Sequence, residues 1–137
     1  MRERSLRRSE EGAALVEFAI VLPVLLLLVF GIIDFGRALS AQNSIVAAVN
    51  DGARLAAVQY PSVDQQAVRD SVKSFLAPLG ITPTVVVREN PSRGPVQSIT
   101  VEVSRYPFRP ITPLAGALGF STIPISASAT FRWEFGV

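Results

Sequence analysis

The sequence predicts an α+β protein in which a long N-terminal transmembrane helix continues into a small head, with a second helix and an antiparallel sheet of about three strands. Three observations support this prediction. An apolar run covers residues 13–33, helical periodicity continues from it to Val58, and segments of period-two alternation follow. These patterns divide the 137 residues into a leader, a membrane segment, an extension of the same helix and an α+β head, which are residues 1–12, 13–33, 34–60 and 61–137.

The membrane segment, residues 13–33, reads AALVEFAIVLPVLLLLVFGII and is apolar except for Glu17. About 20 such residues cross the hydrocarbon core of a bilayer as a helix. Four arginines precede the segment, whereas Arg37 is the one basic residue that closely follows it. Because basic flanks stay on the cytoplasmic side, the N-terminus is predicted in the cytoplasm and the chain from Asp34 onward outside.

A cleaved secretory signal peptide is the alternative interpretation of this segment. Ala38, Leu39 and Ser40 resemble a small-residue cleavage site. The apolar core of a signal peptide is usually 7–15 residues long, however, and this run is longer. The helical pattern also continues through the supposed site, so we favour a permanent membrane helix.

Pro23 lies in the middle of the membrane segment and predicts a kink. It lacks the backbone donor that would bond the carbonyl of Ala19. Membrane helices tolerate proline without any special role, and a flexible point would also suit a helix that leaves the bilayer to join a fibre. The sequence leaves both interpretations open.

The extension is predicted to form one nearly continuous helix with the membrane segment, from residue 14 to residue 58 and roughly 65 Å long. Gly36 and Gly52 are each expected to weaken it by about 1 kcal/mol relative to Ala. It should end at Tyr60 and Pro61, because a residue before proline avoids the α region. The face predicted to be buried consists of Phe35, Leu39, Gln42, Ile45, Val46, Val49, Ala53 and Ala56.

The second helix is predicted to begin at Ser62, with Gln65 three residues later completing a capping box. Pro78 and Gly80 should end this helix. Its predicted buried face consists of Val68, Val72, Phe75, Leu76 and Leu79.

Three strands are predicted over residues 84–89, 96–106 and 123–135, and the second and third alternate between an apolar and a polar face. Pro124 marks a strand start or an edge strand. The second helix and the outer half of the long helix are expected to cover the apolar face of the sheet. The prolines expected to break the pattern and make an extended connection between the last two strands are Pro107, Pro110 and Pro113.

The composition excludes much catalytic and metal chemistry. The chain has no Cys and no His, so thiol nucleophiles, disulfides, Cys/His zinc sites and imidazole general bases are excluded. The acidic residues are scattered, and the glycines form no phosphate-binding loop. The net charge of +2 and the lack of a basic stripe with aromatics argue against nucleic-acid binding. We therefore expect neither an enzyme nor a cofactor or metal site.

Glu17 is the one charge within the apolar run, and a charge at that place is costly. If the chain were cut after Gly12, Ala13 would gain a free α-amine at the membrane face, and Glu17 could neutralise it in the same or a neighbouring chain. Two charges about 4 Å apart in a partly buried setting attract by several kcal/mol before desolvation is subtracted. Such a pair could set an axial register between packed helices. A glutamate that simply reaches the lipid headgroups is the plainer interpretation.

Asp34 and Arg37 lie one helical turn apart at the other end of the span. They are expected to pair at the membrane surface. A pair of this kind contributes only a few tenths of a kcal/mol, so the pair marks the interface more than it stabilises the chain.

The pattern of Gly12, Glu17, the aromatic Phe18 and a long apolar run resembles the processing motif of type IV pilin-like proteins. Within that class the chain resembles the TadE-like family of pseudopilins from tight-adherence (Flp) pilus systems. Phe18 stands where Flp pilins usually have tyrosine. The resemblance covers about residues 11–58 and rests on four segments, GAALVEFA from Gly12, VLP ending at Pro23, DFGR from Asp34 and GARLAA from Gly52.

The resemblance implies a pilin-like fold and a bacterial inner-membrane protein with a cytoplasmic N-terminus and an extracytoplasmic head. A prepilin peptidase would cut between Gly12 and Ala13, and Glu17 would act in processing, in assembly or in both. The protein would be a minor pilin or assembly factor in pilus assembly or adhesion, with other pilins, the inner-membrane assembly platform and membrane lipid as partners. An uncleaved membrane-anchored periplasmic scaffold or binding domain is the alternative, and the TadE, TadF and TadG types are not distinguished.

Overall fold

One helix, α1 (Arg2–Val58), forms both the predicted membrane segment and its extension in the computed structural model. The structure describes residues 2–59, 62–91, 96–112 and 121–134 together with Gly116 and Gly119, with side chains from Gly12 onward except at Pro91, Val96, Gln97 and Glu134. The helix has 57 residues, so it is roughly 85 Å long. It begins before the predicted start at residue 14, because the leader has neither proline nor glycine ahead of Gly12 to stop a helix. Pro23 lies inside it.

The membrane-spanning part of α1 is bare in the single chain. Large apolar side chains between Leu15 and Ile33 are exposed. Among the described residues, 12–58 form the one helix that is long and apolar enough to cross a membrane, and none of its most apolar window is buried inside the protein. The described part of the head leaves this surface uncovered, which suggests that α1 is a single-pass membrane anchor.

The head follows as α2 (Gln65–Leu76), a 3-10 turn (Ala77–Leu79) and three strands, β1 (Thr84–Pro91), β2 (Val96–Phe108) and β3 (Ile123–Glu134). The strands form an antiparallel sheet with β2 in the centre. In its register Val101 lies opposite Val87 of β1 and Ala129 of β3. The predicted α+β architecture and its three strands are confirmed. Of the predicted residues, Tyr60, Pro61, Pro113 and Phe135 lie outside the described part of the chain.

The core lies between the sheet on one side and α2 and the outer half of α1 on the other. This confirms the predicted cover of the sheet, and the alternating residues of β2 face inward as expected. The fully buried members of the core are Ile45, Ala48, Val49, Ala56, Val68, Val72, Leu76, Ile99, Val101 and Val103.

The buried face of α1 is rotated from the predicted one. Phe35, Leu39 and Val46 were expected inside, yet they are exposed, as is Gln42. Small side chains take the inner positions because they let the helix backbone approach the sheet closely. Ile45, Val49, Ala53 and Ala56 are buried as predicted. The other α1 residues that lie in the core or pack against it are Ala38, Ala41, Ala48, Gly52 and Leu55.

Asp64, and not the predicted Ser62, caps the start of α2. The Asp64 carboxylate accepts hydrogen bonds from the backbone N–H groups of Gln66 at 2.9 Å and Ala67 at 3.1 Å. Aspartate caps as well as serine does, and its charge also suits the positive end of the helix dipole. Phe75 and Leu79 were predicted to be buried but are exposed.

The 3-10 turn ends at Gly80, which takes the left-handed conformation at φ 69°. The predicted end of α2 near Pro78 and Gly80 is therefore confirmed. Glycine adopts this conformation without a Cβ penalty, which explains its position there.

Strand β2 continues through Pro107, which was predicted to break it. Pro107 lies opposite Pro124 near the end of the β2–β3 ladder, next to a register shift between Val103 and Tyr106. Proline is tolerated beside such an irregularity, because the ladder there does not require a hydrogen bond from its backbone nitrogen. Arg105 absorbs part of the irregularity with φ 48°.

The two helix glycines expected to weaken α1 differ in their surroundings. A Cβ placed on Gly52 would lie 2.5 Å from Cγ2 of Val72, whereas a Cβ on Gly36 would meet nothing within 4 Å. Val72 is buried in the core and its β-branched side chain has little freedom to move. At Gly52 the two helices α1 and α2 therefore approach so closely that only glycine fits.

The substitution Gly52→Ala should destabilise the head in spite of alanine's better helix propensity. Overpacking against Val72 costs about 1–3 kcal/mol, which exceeds the gain of about 0.5–1 kcal/mol from replacing glycine. The matched control Gly36→Ala should cause no loss. Denaturant unfolding of the detergent-solubilised chain, followed by the fluorescence of Trp133, measures both, and equal midpoints for the two variants would contradict the close contact.

Candidate functional site

The residues of the predicted processing motif lie at the exposed N-terminal part of α1. Gly12, Ala13, Glu17 and Phe18 are all exposed, and a Cβ on Gly12 would meet no atom within 4 Å. Ala13 and Glu17 are one turn apart on the same side of a continuous helix. Within the described chain Glu17 has neither a hydrogen bond nor an ion pair, and its side chain is exposed.

Asp34 joins the end of the membrane span to the connection between β2 and β3. One carboxylate oxygen accepts a hydrogen bond from the backbone N–H of Ile111 at 2.9 Å, and the other accepts one from that of Thr112 at 3.0 Å. The hydroxyl of Thr112 donates to the same oxygen. The residues so joined are 77 and 78 positions apart in the sequence.

Arg37 completes this contact. It forms the predicted ion pair with Asp34 at 3.4 Å, and its guanidinium carbon lies 5.4 Å from the centre of the buried Phe108 ring. A cation over an aromatic face is attracted by the ring quadrupole, so the ring helps to hold the guanidinium. We call Asp34, Arg37, Phe108, Ile111 and Thr112 together the Asp34 clamp.

The environment of Asp34 favours its charged form. The hydrogen bond from the Ile111 N–H lowers the pKa of the Asp34 carboxyl below its ordinary value of 3.8, and partial burial opposes this effect. The Thr112 N–H and the charge of Arg37 lower the pKa further. Because donors that prefer an anion surround it, the carboxylate is ionised whenever the clamp is intact at neutral pH.

A second attachment lies at the far end of α1. The indole N–H of Trp133 donates to the carbonyl of Ala57 at 3.0 Å. This carbonyl belongs to the last turn of the helix, where no intrahelical donor is available. The ring of Phe131 lies edge-on to Trp133 with centroids 6.3 Å apart. The head is therefore fastened to α1 at both ends of the extension.

Sequence reasoning found the Asp34–Arg37 pair but missed both attachments of the head. An aspartate directly after an apolar run signals an interface, yet nothing near Ile111 or Thr112 identifies them as its partners. Trp133 stands in a strand with a clear apolar face, and that pattern predicts burial but not a donor aimed at a helix end.

A groove of about 500 Å³ lies beside the Asp34 clamp, between the outer half of α1, the turn after α2 and the end of β2. Among the described residues, its lining includes Arg37 and Arg109 and no carboxylate. The hydroxyl-bearing residues in the lining are Ser40, Ser44, Thr82 and Tyr106. In the described residues no group of three or more His, Cys, Asp or Glu side chains could hold a metal ion.

The N-terminal helix carries the resemblance to known proteins. Residues 12–54 match the family model described as TadE-like protein. This TadE-like segment begins at Gly12, contains Glu17 and Pro23, and ends inside the part of α1 that packs on the sheet. It is less than half of the chain, and the strands and α2 lie outside it.

Searches of curated proteins and of solved structures found no match for this chain. The structure of the head is therefore interpreted from its own contacts. Both charged residues of the Asp34 clamp that lie on α1 belong to the TadE-like segment, whereas the residues they hold lie in the head.

Removing the Asp34 carboxylate should release the β2–β3 connection. The amides of Ile111 and Thr112 would lose their acceptor in Asp34→Ala, and their hydrogen exchange should speed up toward that of unprotected amides. Asp34→Asn keeps one acceptor oxygen, so its exchange rates should lie between those of the wild type and those of Asp34→Ala. Hydrogen exchange read by mass spectrometry on the full chain in micelles measures this, with Asp51→Asn, an exposed aspartate of the same helix, as the control.

The same contact should respond to acid with a defined sign. Since the folded pKa of Asp34 is lowered, its stabilisation is present above the unfolded value near 3.8 and is lost as the pH falls through the folded pKa. Protection of the Ile111 and Thr112 amides, corrected for intrinsic exchange, should not change as the pH is varied around neutrality. A loss of protection well above that value would contradict the assignment.

Proposed function

We propose that this chain is a pseudopilin of a tight-adherence pilus system, anchored in the bacterial inner membrane by α1 and carrying its head outside the cytoplasm. The observation that carries this proposal is the TadE-like segment, which starts at the glycine of the processing motif. The excess of arginine in the leader supports the orientation. A structural role in pilus assembly or adhesion suits a chain whose one long apolar surface has no cover of its own.

Processing would remove residues 1–12 by hydrolysis of the peptide bond between Gly12 and Ala13. A prepilin peptidase must reach this bond at the membrane face. The exposed position of Gly12 and Ala13 on a helix that no part of the head covers supports such access. Phe18 would offer an exposed aromatic side chain to the peptidase on the same stretch of helix.

Cleavage would turn the Ala13 nitrogen into an ammonium group one helical turn from the Glu17 carboxylate. In a single chain this pair lies at the edge of the span, and in a bundle the glutamate can reach the new amine of a neighbour. A buried charge left without its partner is strongly unfavourable, so helices would pack at the axial offset that pairs both charges. The lack of any other described partner for Glu17 supports this role.

The exposed stripe of α1 would supply the rest of the subunit contacts. Phe35 is 71% exposed, and Leu39 and Val46 continue the same face beyond the membrane segment. Apolar side chains of this size gain stability when a neighbouring helix covers them. Other pilins and the inner-membrane assembly platform are the proposed partners. A kink at Pro23 would let the lower half of the helix adjust as it leaves the lipid.

The protein isolated from its host should begin at Ala13. Intact-mass and N-terminal peptide mass spectrometry would show the loss of residues 1–12. Gly12→Val places a β-branched side chain at the cut bond and should block cleavage, whereas Gly31→Val makes the same change within the span and should be cleaved normally. A native chain that keeps its leader where the peptidase is active would favour an uncleaved membrane-anchored scaffold instead.

The substitution Glu17→Gln keeps the shape of the side chain and removes its charge. We expect most surface pili to be lost while the head stays folded, as judged by Trp133 fluorescence. The mature N-terminus separates the two roles of Glu17, because an uncut chain indicates a defect in processing and a cut chain without pili indicates one in assembly. Asp51→Asn is the control, and normal piliation in Glu17→Gln would show that the carboxylate is a bystander.

A further inference from the structure

We propose that the groove beside the Asp34 clamp binds the phosphate-bearing headgroup of an anionic phospholipid. The proposal goes beyond the role in pilus assembly and needs only the membrane anchoring of α1. It rests on three features of the groove, which are its depth relative to the bilayer, its charge and its shape.

The end of the groove at Arg37 lies at the depth of the lipid headgroups, and the groove extends along α1 to Ser44, roughly 16 Å beyond Ile33. Arg37 is one turn beyond Ile33, the last residue of the apolar run, so it lies roughly 6 Å further along the helix axis. The headgroup layer of each leaflet is about 5–7 Å thick. Arg109 lines the same groove, and the Asp34 clamp holds the neighbouring residues Ile111 and Thr112 against the start of the extension.

The charge of the groove suits an anion. Two arginines and no carboxylate line it. Asp34 contacts one terminal nitrogen of Arg37 at 3.4 Å, and a guanidinium has five N–H donors, so donors remain for a second acceptor. The side chain of Arg37 is 45% exposed. A guanidinium held in place matches the geometry of a phosphate group and loses little freedom when it binds one.

The remaining lining suits the polar and apolar parts of a lipid. The hydroxyl groups of Ser40, Thr82 and Tyr106 can bond to glycerol and ester oxygens. Leu79 also lines the groove and is 55% exposed, and Ile111, two residues after Arg109, is 67% exposed. Apolar side chains at this depth can contact the upper acyl chains. A volume of about 500 Å³ is that of a small-molecule site.

A lipid is favoured over a soluble phosphate because the groove meets the bilayer surface. The membrane span holds the Arg37 end of the groove within the headgroup layer, where lipid phosphates are abundant. Together, the two arginines of the groove and the one carboxylate of the Asp34 clamp give the site a small net positive charge. An anchored ligand with additional apolar contacts suits that site better than a small, strongly hydrated ion.

The test uses the full chain, uncleaved, in nanodiscs that contain phosphatidylcholine and phosphatidylglycerol in equal amounts. Native mass spectrometry after release from the disc counts the lipids that stay bound. The wild-type chain should retain phosphatidylglycerol in preference to phosphatidylcholine. Each arginine near anionic lipid contributes about fivefold to binding, so Arg109→Gln should lower retention about fivefold and the double variant Arg37→Gln/Arg109→Gln about 30-fold.

Arg88→Gln, a change at an exposed arginine on β1, is the matched control and should leave retention unchanged. Since Arg37 is also part of the Asp34 clamp, Trp133 fluorescence must first show that the double variant is folded. The single variant Arg109→Gln decides the question if the double variant is not. Because the chain is uncleaved, failure of the processing proposal does not affect this measurement.

Three outcomes would overturn the proposal. The first is no preference for phosphatidylglycerol in the wild type. The second is equal retention in Arg109→Gln, Arg88→Gln and wild type. The third is displacement of the retained lipid by inorganic phosphate at an equal concentration, which would indicate a site for free phosphate and not for a lipid.

Discussion

The whole structure depends on one helix that must satisfy two different surroundings. The first half of α1 presents large apolar side chains on all sides, as lipid requires. The second half presents small side chains to the sheet and to α2, with Gly52 at the closest approach to Val72. The sheet and the short helix can therefore pack closely on α1. Strands β2 and β3 contact α1 directly, whereas β1 contacts α2.

The head is held to this helix by polar contacts at two points as well as by the core between them. The Asp34 clamp joins it at the membrane end, and the bond from Trp133 to the Ala57 carbonyl joins it at the other end. Roughly 35 Å of helix separates these points. The head and the extension thus form one body, whose height above the membrane is set by the first residues after the apolar run.

This arrangement separates two uses of charge along the helix. Glu17 lies on a bare stretch without a partner in the described chain, and the role proposed for it depends on cleavage and on neighbouring subunits. Asp34 is fully engaged within the chain, and Arg37 is only partly engaged. The first carboxylate suits a role between molecules, and the second a role within the molecule. The arginines of the groove are left to face the lipid headgroups.

Local patterns in the sequence predicted the apolar helix, its continuation, the second helix and the three strands, because these follow from periodicities that neighbouring residues create. They also identified the motif from Gly12 to Phe18, which lies in one stretch of helix. The buried face of α1 became clear from the packing of the fold, because large residues such as Phe35 are more apolar while small ones allow closer packing. The joining of Asp34 to Ile111 and the groove beside it also came from the fold alone, since no local pattern relates residues 77 positions apart.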